Sequence, residues 1–191
     1  MNDFKKWDEA ESIQLIREMM ESTRQGMYSD RFLYLMWGYL TLVCAAAHYV
    51  LQYFLDFNHP YIVWVSMPVA AVVHVLYIKR SKKFVKVKTY PDRVLSGIWG
   101  AMGLGIIAVL LGVSQVGWEV VYPFFMLLYG MASFATGISL RFNLLIWGGL
   151  TSIVCGIISF YWPFQFQLLA LQIAIIASFI VPAHFMNHKT A

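Results

Sequence analysis

Three histidines near the ends of long apolar runs are the residues best suited to metal or cofactor chemistry in this sequence. His184 and His188 are four positions apart, which places both imidazoles on one face of a helix, and His74 lies near the end of another run. Such a group could hold a metal ion or ligate a haem iron from two helices. No Asp, Glu or Cys accompanies these histidines. We therefore predict no cofactor and expect histidines hydrogen-bonded near the lipid headgroups, with a metal or haem site as the alternative.

A second polar group lies toward the other ends of the apolar runs. His48 and Gln52 share one stripe of the first run, and Gln115 and Glu119 are four positions apart where the third run ends. Ionisable residues at membrane depth are expensive to bury and are functional hypotheses by default. One alternative is a polar pocket formed by these four residues at the outer face. The other is a histidine hydrogen-bonded within a helix bundle, beside a carboxylate that caps a helix.

Recognisable catalytic motifs are missing from the sequence. It contains no nucleophile elbow, phosphate-binding loop, HExxH helix or paired carboxylates. The two cysteines, Cys44 and Cys155, are far apart and do not form a C-x-x-C pair. We therefore predict no catalytic residues and keep a membrane enzyme only as an alternative built on the three histidines.

The composition indicates the class of protein to which these residues belong. Of 191 residues, 60% are hydrophobic, 17% are aromatic and 13% are charged, and the mean hydropathy is +0.63. A soluble domain carries about a quarter charged residues, so this chain has too little polar surface to cover a soluble core. The many aromatic residues exclude disorder, and two cysteines exclude a disulfide-built module. The composition therefore predicts an integral membrane protein.

Six apolar runs are long enough to cross the hydrocarbon as helices, which takes about 20 residues. None of them contains Asp, Glu, Lys or Arg. The runs are Phe32–Leu55, Tyr61–Ile78, Val94–Gly117, Val120–Leu140, Phe142–Trp162 and Phe164–Phe185. Their length and lack of alternation favour helices over barrel strands. The sequence therefore predicts an all-α bundle, with a separate segment over residues 1–29 and a six-helix transmembrane domain over residues 30–191.

The basic residues orient this bundle. Five precede the first predicted span, seven lie in the connection Lys79–Arg93, and Arg141 and Lys189 follow the fourth and sixth spans. All fourteen therefore fall on one side, which is the cytoplasmic side by the positive-inside rule. We expect a multi-pass protein of the bacterial inner membrane with both ends of this sequence in the cytoplasm.

A short motif, R-x5-W-G, recurs at the start of each odd-numbered span. Its three copies comprise Arg31, Trp37 and Gly38, then Arg93, Trp99 and Gly100, then Arg141, Trp147 and Gly148. The recurrence predicts three parallel helical hairpins, over about residues 30–90, 91–140 and 141–191.

Small residues spaced by four mark two of the same spans. One stripe is Gly97, Ala101 and Gly105, and the other is Gly148, Ser152 and Gly156. We expect close helix packing at both stripes.

The segment before the first span predicts an amphipathic helix. Asp8 can cap its start, Gly26 can end it, and Ile13, Ile16 and Met20 form one apolar face. Residues 1–31 carry seven acidic and five basic residues, a net charge of −2, whereas a helix that lies on anionic lipid is normally basic. We expect this face to dock on its own bundle, on a second copy or on a cytoplasmic protein.

The connection Lys79–Arg93 has the opposite charge, with seven basic residues and one acid. Six of these bases are candidates for contact with lipid headgroups or a partner, namely Lys79, Arg80, Lys82, Lys83, Lys86 and Lys88. One short basic loop without a recognisable motif does not predict nucleic-acid binding.

Taken along its length, the sequence resembles the small six-span bacterial inner-membrane proteins of unknown function, including an acidic helix before the first span. The resemblance implies a six-span fold and brings no activity, cofactor or site residue with it. We therefore predict a regulatory or scaffolding membrane module that contacts a cytoplasmic partner or forms a homo-oligomer. The alternatives are a small transporter for a neutral or lipid-like solute, and a membrane enzyme or cofactor-binding protein that uses the inner histidines.

Overall fold

A computed structural model describes residues 12–19, 31–81 and 90–186 of the chain, and these residues contain helices and no strands. The helices after residue 30 are α1 (Arg31–Tyr53), α2 (Ser66–Ser81), α3 (Tyr90–Val116), α4 (Val121–Leu140), α5 (Asn143–Ser159), α6 (Phe164–Ile175) and α7 (Val181–Phe185). Two 3-10 turns, Pro60–Val65 and Trp118–Val120, lead into α2 and α4, and a π-helical turn, Ile176–Ile180, joins α6 to α7. The predicted all-α class is confirmed.

Among the described residues, five helical segments are long and apolar enough to cross a membrane. They are Arg31–Tyr53, Pro60–Arg80, Asp92–Val116, Trp118–Leu140 and Phe164–Phe185. Each lies within a few residues of a run predicted from the sequence, because apolar length alone defines such a segment. The chain is therefore a helical membrane protein. The basic end of the bundle means here the end that carries Lys79, Arg80 and Arg141, and the opposite end is called the outer end.

The remaining predicted span, Phe142–Trp162, corresponds to the shorter helix α5. Asn143–Ser159 has 17 residues, because the chain turns at Phe160 and Tyr161 before Pro163 begins the next helix. A helix of 17 residues is at the lower limit of spanning length. The sixth span stays a prediction.

The core of the bundle is formed by α4 and α5 together with α1 and α6. The most extensive contact joins α4 to α5, where a Cβ added at Gly149 would lie 2.8 Å from the carbonyl oxygen of Gly130. The Ser152 hydroxyl donates to the carbonyl oxygen of Met126 at 2.8 Å. The two backbones are therefore in direct contact, as small residues allow in membrane bundles.

Helices α2 and α3 lie at the periphery. Ala70 is the one buried residue among the described side chains of α2, and no described side chain of α3 is buried. Gly97 and Ala101 are exposed, and nothing lies within 4 Å of a Cβ added at Gly97. Close packing at the first small-residue stripe is therefore wrong except at Gly105, whose added Cβ would meet the Leu128 side chain at 2.9 Å.

The second small-residue stripe is closely packed, as expected, and its Gly148 contacts the π-helical turn. A Cβ added at Gly148 would collide with the backbone of Ala177 and Ser178, and one added at Gly38 would lie 2.9 Å from the Ile180 side chain. The turn is followed by Pro182, which has no N–H to continue the helical hydrogen-bond ladder. The π-helical turn is thus held between α1 and α5 by two close approaches.

The three copies of R-x5-W-G occupy different surroundings. Trp37 and Trp99 are half-buried, whereas Trp147 is 68% exposed. Gly38 and Gly148 are at close contacts, whereas Gly100 has no atom within 4 Å of an added Cβ. Of the arginines, Arg31 is half-buried, and Arg93 and Arg141 are exposed. The three-hairpin repeat therefore stays a prediction drawn from the sequence.

Candidate functional site

His48 lies in a cluster of aromatic rings at the outer end of the bundle. The side chain belongs to the last turns of α1 and is 4% exposed. Trp64 comes from the 3-10 turn before α2, Tyr122 from the first turn of α4 and Phe164 from the first turn of α6. Their ring centroids lie 6.4, 6.2 and 5.8 Å from that of the imidazole. Four separate segments of the chain therefore meet at this one histidine.

Two hydrogen bonds define the state of the imidazole. The Trp64 indole N–H donates to His48 Nδ1 at 2.9 Å, and the Tyr122 hydroxyl oxygen lies 2.9 Å from the same nitrogen. An indole nitrogen is a donor only, so Nδ1 must be unprotonated. His48 is therefore a neutral imidazole that carries its proton on Nε2, and the Tyr122 hydroxyl shares the single lone pair of Nδ1 with the indole N–H.

Two glutamine side chains add buried acceptors to this part of the bundle. Gln52 lies one turn after His48 on α1, beside the imidazole, and its buried Oε1 makes no hydrogen bond of good geometry. Gln167 on α6 is 3% exposed, and its amide nitrogen donates to the carbonyl oxygen of Trp162 at 3.1 Å. Its buried Oε1 also has no hydrogen-bond partner.

The four residues of the predicted outer pocket lie in different surroundings, and the pocket stays a prediction. His48 and Gln52 lie together, whereas Gln115 in the last turn of α3 and Glu119 in the following 3-10 turn are exposed. The residue of this region that reaches His48 is Tyr122.

Sequence reasoning missed the three aromatic residues around His48. The available signal was that each even-numbered span starts with aromatic residues beside a proline, at Pro60, Pro123 and Pro163. Aromatic residues are common near membrane interfaces, so this pattern does not indicate which of their side chains lie inside the bundle.

The inner histidines are held apart by α1. The Trp37 indole N–H donates to His74 Nδ1 at 2.7 Å, and the Tyr39 hydroxyl lies 3.4 Å from His184 Nε2. Trp37 and Tyr39 are two positions apart, about 200° around the helix, so the two histidines contact opposite faces of α1.

His188 lies outside the described residues. Within the described ranges, no group of three His, Cys, Asp or Glu side chains could hold a metal ion. The structure therefore does not bring His74 and His184 together.

Two Trp–His hydrogen bonds join α1 to the segment Pro60–Ser81, and each of the two contributes one tryptophan and one histidine. α1 contributes Trp37 and His48, and the segment Pro60–Ser81 contributes His74 and Trp64. Between the two pairs, Cys44 Sγ lies 3.2 Å from Ser66 Oγ. The hairpin therefore has a polar contact at each end and a third between them.

The candidate contact residues near the N-terminal end are exposed where they are described. Residues 12–19 are helical, and Ile13 and Ile16 are 61% and 58% exposed. Lys79, Arg80 and Arg93 belong to α2 and α3 rather than to a loop and are exposed. Lying outside the described residues are Asp8, Met20, Gly26, Lys82, Lys83, Lys86 and Lys88.

The fold and this cluster define a helical membrane protein with a buried histidine–aromatic network at one end. The chain matches no protein-family model, no curated protein and no solved structure.

Proposed function

We propose that this protein is a six-span module of the bacterial inner membrane, with its basic end in the cytoplasm. The five long apolar helices support membrane insertion, and α5 is apolar along its 17 residues. The basic residues at one end support the orientation, because positively charged connections stay on the cytoplasmic side. The recurring R-x5-W-G motif supports three hairpins inserted in the same direction.

Within this topology, we propose that the protein acts as a regulatory or scaffolding module that binds a cytoplasmic protein through the helix at residues 12–19. The observation that carries the proposal is the exposure of the apolar side chains of this helix. Ile13, Leu15, Ile16 and Met19 are each at least 36% exposed, and at 100° per residue they share one side of the helix. Gln14 and Glu18 lie on the other side, where the Gln14 amide donates a hydrogen bond to the Glu18 carboxylate. Such an amphipathic face is typical of a helix that lies in the apolar groove of a partner.

The buried histidines support a structural role for the membrane domain. His48 and His74 each accept an indole N–H at Nδ1, so this nitrogen is occupied within the protein. A buried polar group is stabilised when it is hydrogen-bonded in this way, so the presence of these histidines does not require a catalytic role. These contacts favour a module whose exposed helix performs the binding.

Site-specific photo-crosslinking in cells tests the binding. A benzoylphenylalanine at Ile16 should crosslink to a distinct cytoplasmic protein, and the same group at Gln14, on the polar side, should not. The double variant Ile13→Glu with Ile16→Glu should abolish the crosslink from a third apolar position, Met19, while membrane insertion is unchanged. Crosslinks confined to the same chain, or equal products from Ile16 and Gln14, would refute the partner.

A small transporter for a neutral solute is the second candidate. Four buried side-chain oxygens that make no hydrogen bond among the described residues favour it, namely Gln52 Oε1, Gln167 Oε1, Ser133 Oγ and Ser159 Oγ. Buried acceptors and hydroxyls that lack partners can be satisfied by water or by a polar solute. Solute flux in proteoliposomes that survives deletion of residues 1–28 and is lost in His48→Ala would favour this candidate over the module.

A further inference from the structure

One side of α2 carries a continuous stripe of exposed residues that changes from apolar to cationic. Val72, Val75 and Leu76 are 59%, 50% and 60% exposed, and together with Ala71 they line a shallow apolar groove. Lys79 follows Val75 by four positions, and Arg80 follows Leu76 by four. Residues four apart are stacked on one face of a helix, so both cations stand directly beyond the groove.

The two cations are unpaired among the residues that the structure describes. Neither Lys79 nor Arg80 makes an ion pair or hydrogen bond with another residue in the part of the chain that the structure describes. They occupy the last turn of α2, where the apolar segment Pro60–Arg80 ends. In a bilayer this position lies at the level of the headgroups, where the phosphate groups of lipids are the available anions.

The stripe is exposed because another side of α2 packs against the bundle. The inward side of the helix, with Ala70 and His74, contacts α1, and His74 is bonded to Trp37. The stripe lies on the other side of the helix, because Val72 is about 160° and Leu76 about 120° around the helix from Ala70. An occupant of the stripe therefore needs an apolar chain for the groove and a negative charge for the last turn.

We propose that this stripe of α2 is a binding site for an anionic phospholipid. One acyl chain lies along Val72, Val75 and Leu76, and the phosphate group contacts the Lys79 ammonium and the Arg80 guanidinium. An arginine fork and a lysine ammonium both bind phosphate oxygens well. The site selects the charge of the headgroup, because the apolar groove accepts the acyl chain of any phospholipid.

Native mass spectrometry of the full chain in detergent, titrated with phosphatidylglycerol or phosphatidylcholine, tests the site. We expect one phosphatidylglycerol to bind before phosphatidylcholine does. Each juxtamembrane cation contributes about fivefold to the affinity for an anionic lipid, so Lys79→Gln with Arg80→Gln should weaken binding by about 30-fold. The charge-preserving exchange Lys79→Arg with Arg80→Lys should bind as the native protein does.

A matched control distinguishes this site from a general attraction to positive charge. Arg141→Gln removes an exposed cation at another corner of the basic end and should leave phosphatidylglycerol binding unchanged. If Lys79→Gln with Arg80→Gln prevents insertion, the single variants should each show about a fivefold loss.

The proposal is overturned if both lipids bind equally, or if Arg141→Gln weakens binding as much as the double variant. It is also overturned if inorganic phosphate alone competes as well as the lipid, because the groove would then contribute nothing.

Discussion

Replacing Trp64 with phenylalanine removes the indole N–H that bonds His48 and keeps an aromatic ring in the cluster. In the native protein the N–H lies 2.9 Å from His48 Nδ1, at a histidine that is 4% exposed. The variant leaves Tyr122 as the donor to that nitrogen. The change therefore acts mainly on one hydrogen bond and on the smaller volume of the ring.

The expected cost follows from the nature of this bond. Side-chain hydrogen bonds between membrane helices contribute about 0.6 kcal/mol on average and up to about 1.7 kcal/mol. His48 is buried and Nδ1 keeps one donor, so we expect a loss of about 1 kcal/mol in the free energy of unfolding. In the double variant with Tyr122→Phe, Nδ1 has no donor, and the loss should exceed the sum of the two single losses.

Unfolding of the detergent-purified protein by SDS, followed by circular dichroism, measures this free energy. Trp118→Phe is the matched control, because Trp118 lies near the same end of the bundle and is 63% exposed. The control should stay within about 0.3 kcal/mol of the native protein, as surface substitutions usually do. Equal effects of Trp64→Phe and Trp118→Phe would show that the Trp64–His48 bond does not stabilise the bundle. Additive losses in the double variant would show that the two donors act independently and do not substitute for each other at Nδ1.

Two further predictions concern helix packing and topology. Gly148→Ala should cost more than about 2 kcal/mol on SDS unfolding, because the new Cβ meets the backbone of the π-helical turn, whereas Gly97→Ala should be neutral or stabilise by up to about 1 kcal/mol through helix propensity. Equal effects at the two glycines would contradict the difference in their surroundings. In a background without the native cysteines, a membrane-impermeant maleimide added to intact bacterial spheroplasts should label Asn58→Cys and leave Arg141→Cys unlabelled until lysis. Labelling of both positions in intact spheroplasts would refute the proposed orientation.

The two small-residue stripes show how far a sequence pattern predicts contacts. Gly97, Ala101 and Gly105 have the same spacing as Gly148, Ser152 and Gly156, and the sequence predicts close packing at both. In the structure Gly97 is exposed, and Gly148 touches the π-helical turn. Spacing determines only that residues share a face, and the rotation of the helix against its neighbours determines what that face meets.

The candidate site shows the same difference between contacts along one helix and contacts between helices. His48 and Gln52 lie beside each other because they are four positions apart on one helix, and this neighbourhood is local. Gln115 and Glu119 were added by their depth in the membrane, but a common depth does not bring side chains together. Tyr122, three positions after Glu119, is the residue of this region that bonds His48.

The sequence by itself determined that this chain is a helical membrane protein, and it located five membrane-long helices to within a few residues. It could do so because the bilayer acts on each segment separately, demanding apolar side chains and internal hydrogen bonds over a known length. Only the tertiary structure decided that His48 meets Trp64 and Tyr122, which are 16 and 74 positions away along the chain. Such hydrogen bonds depend on the relative rotation and depth of several helices, and these are set by packing over the whole bundle.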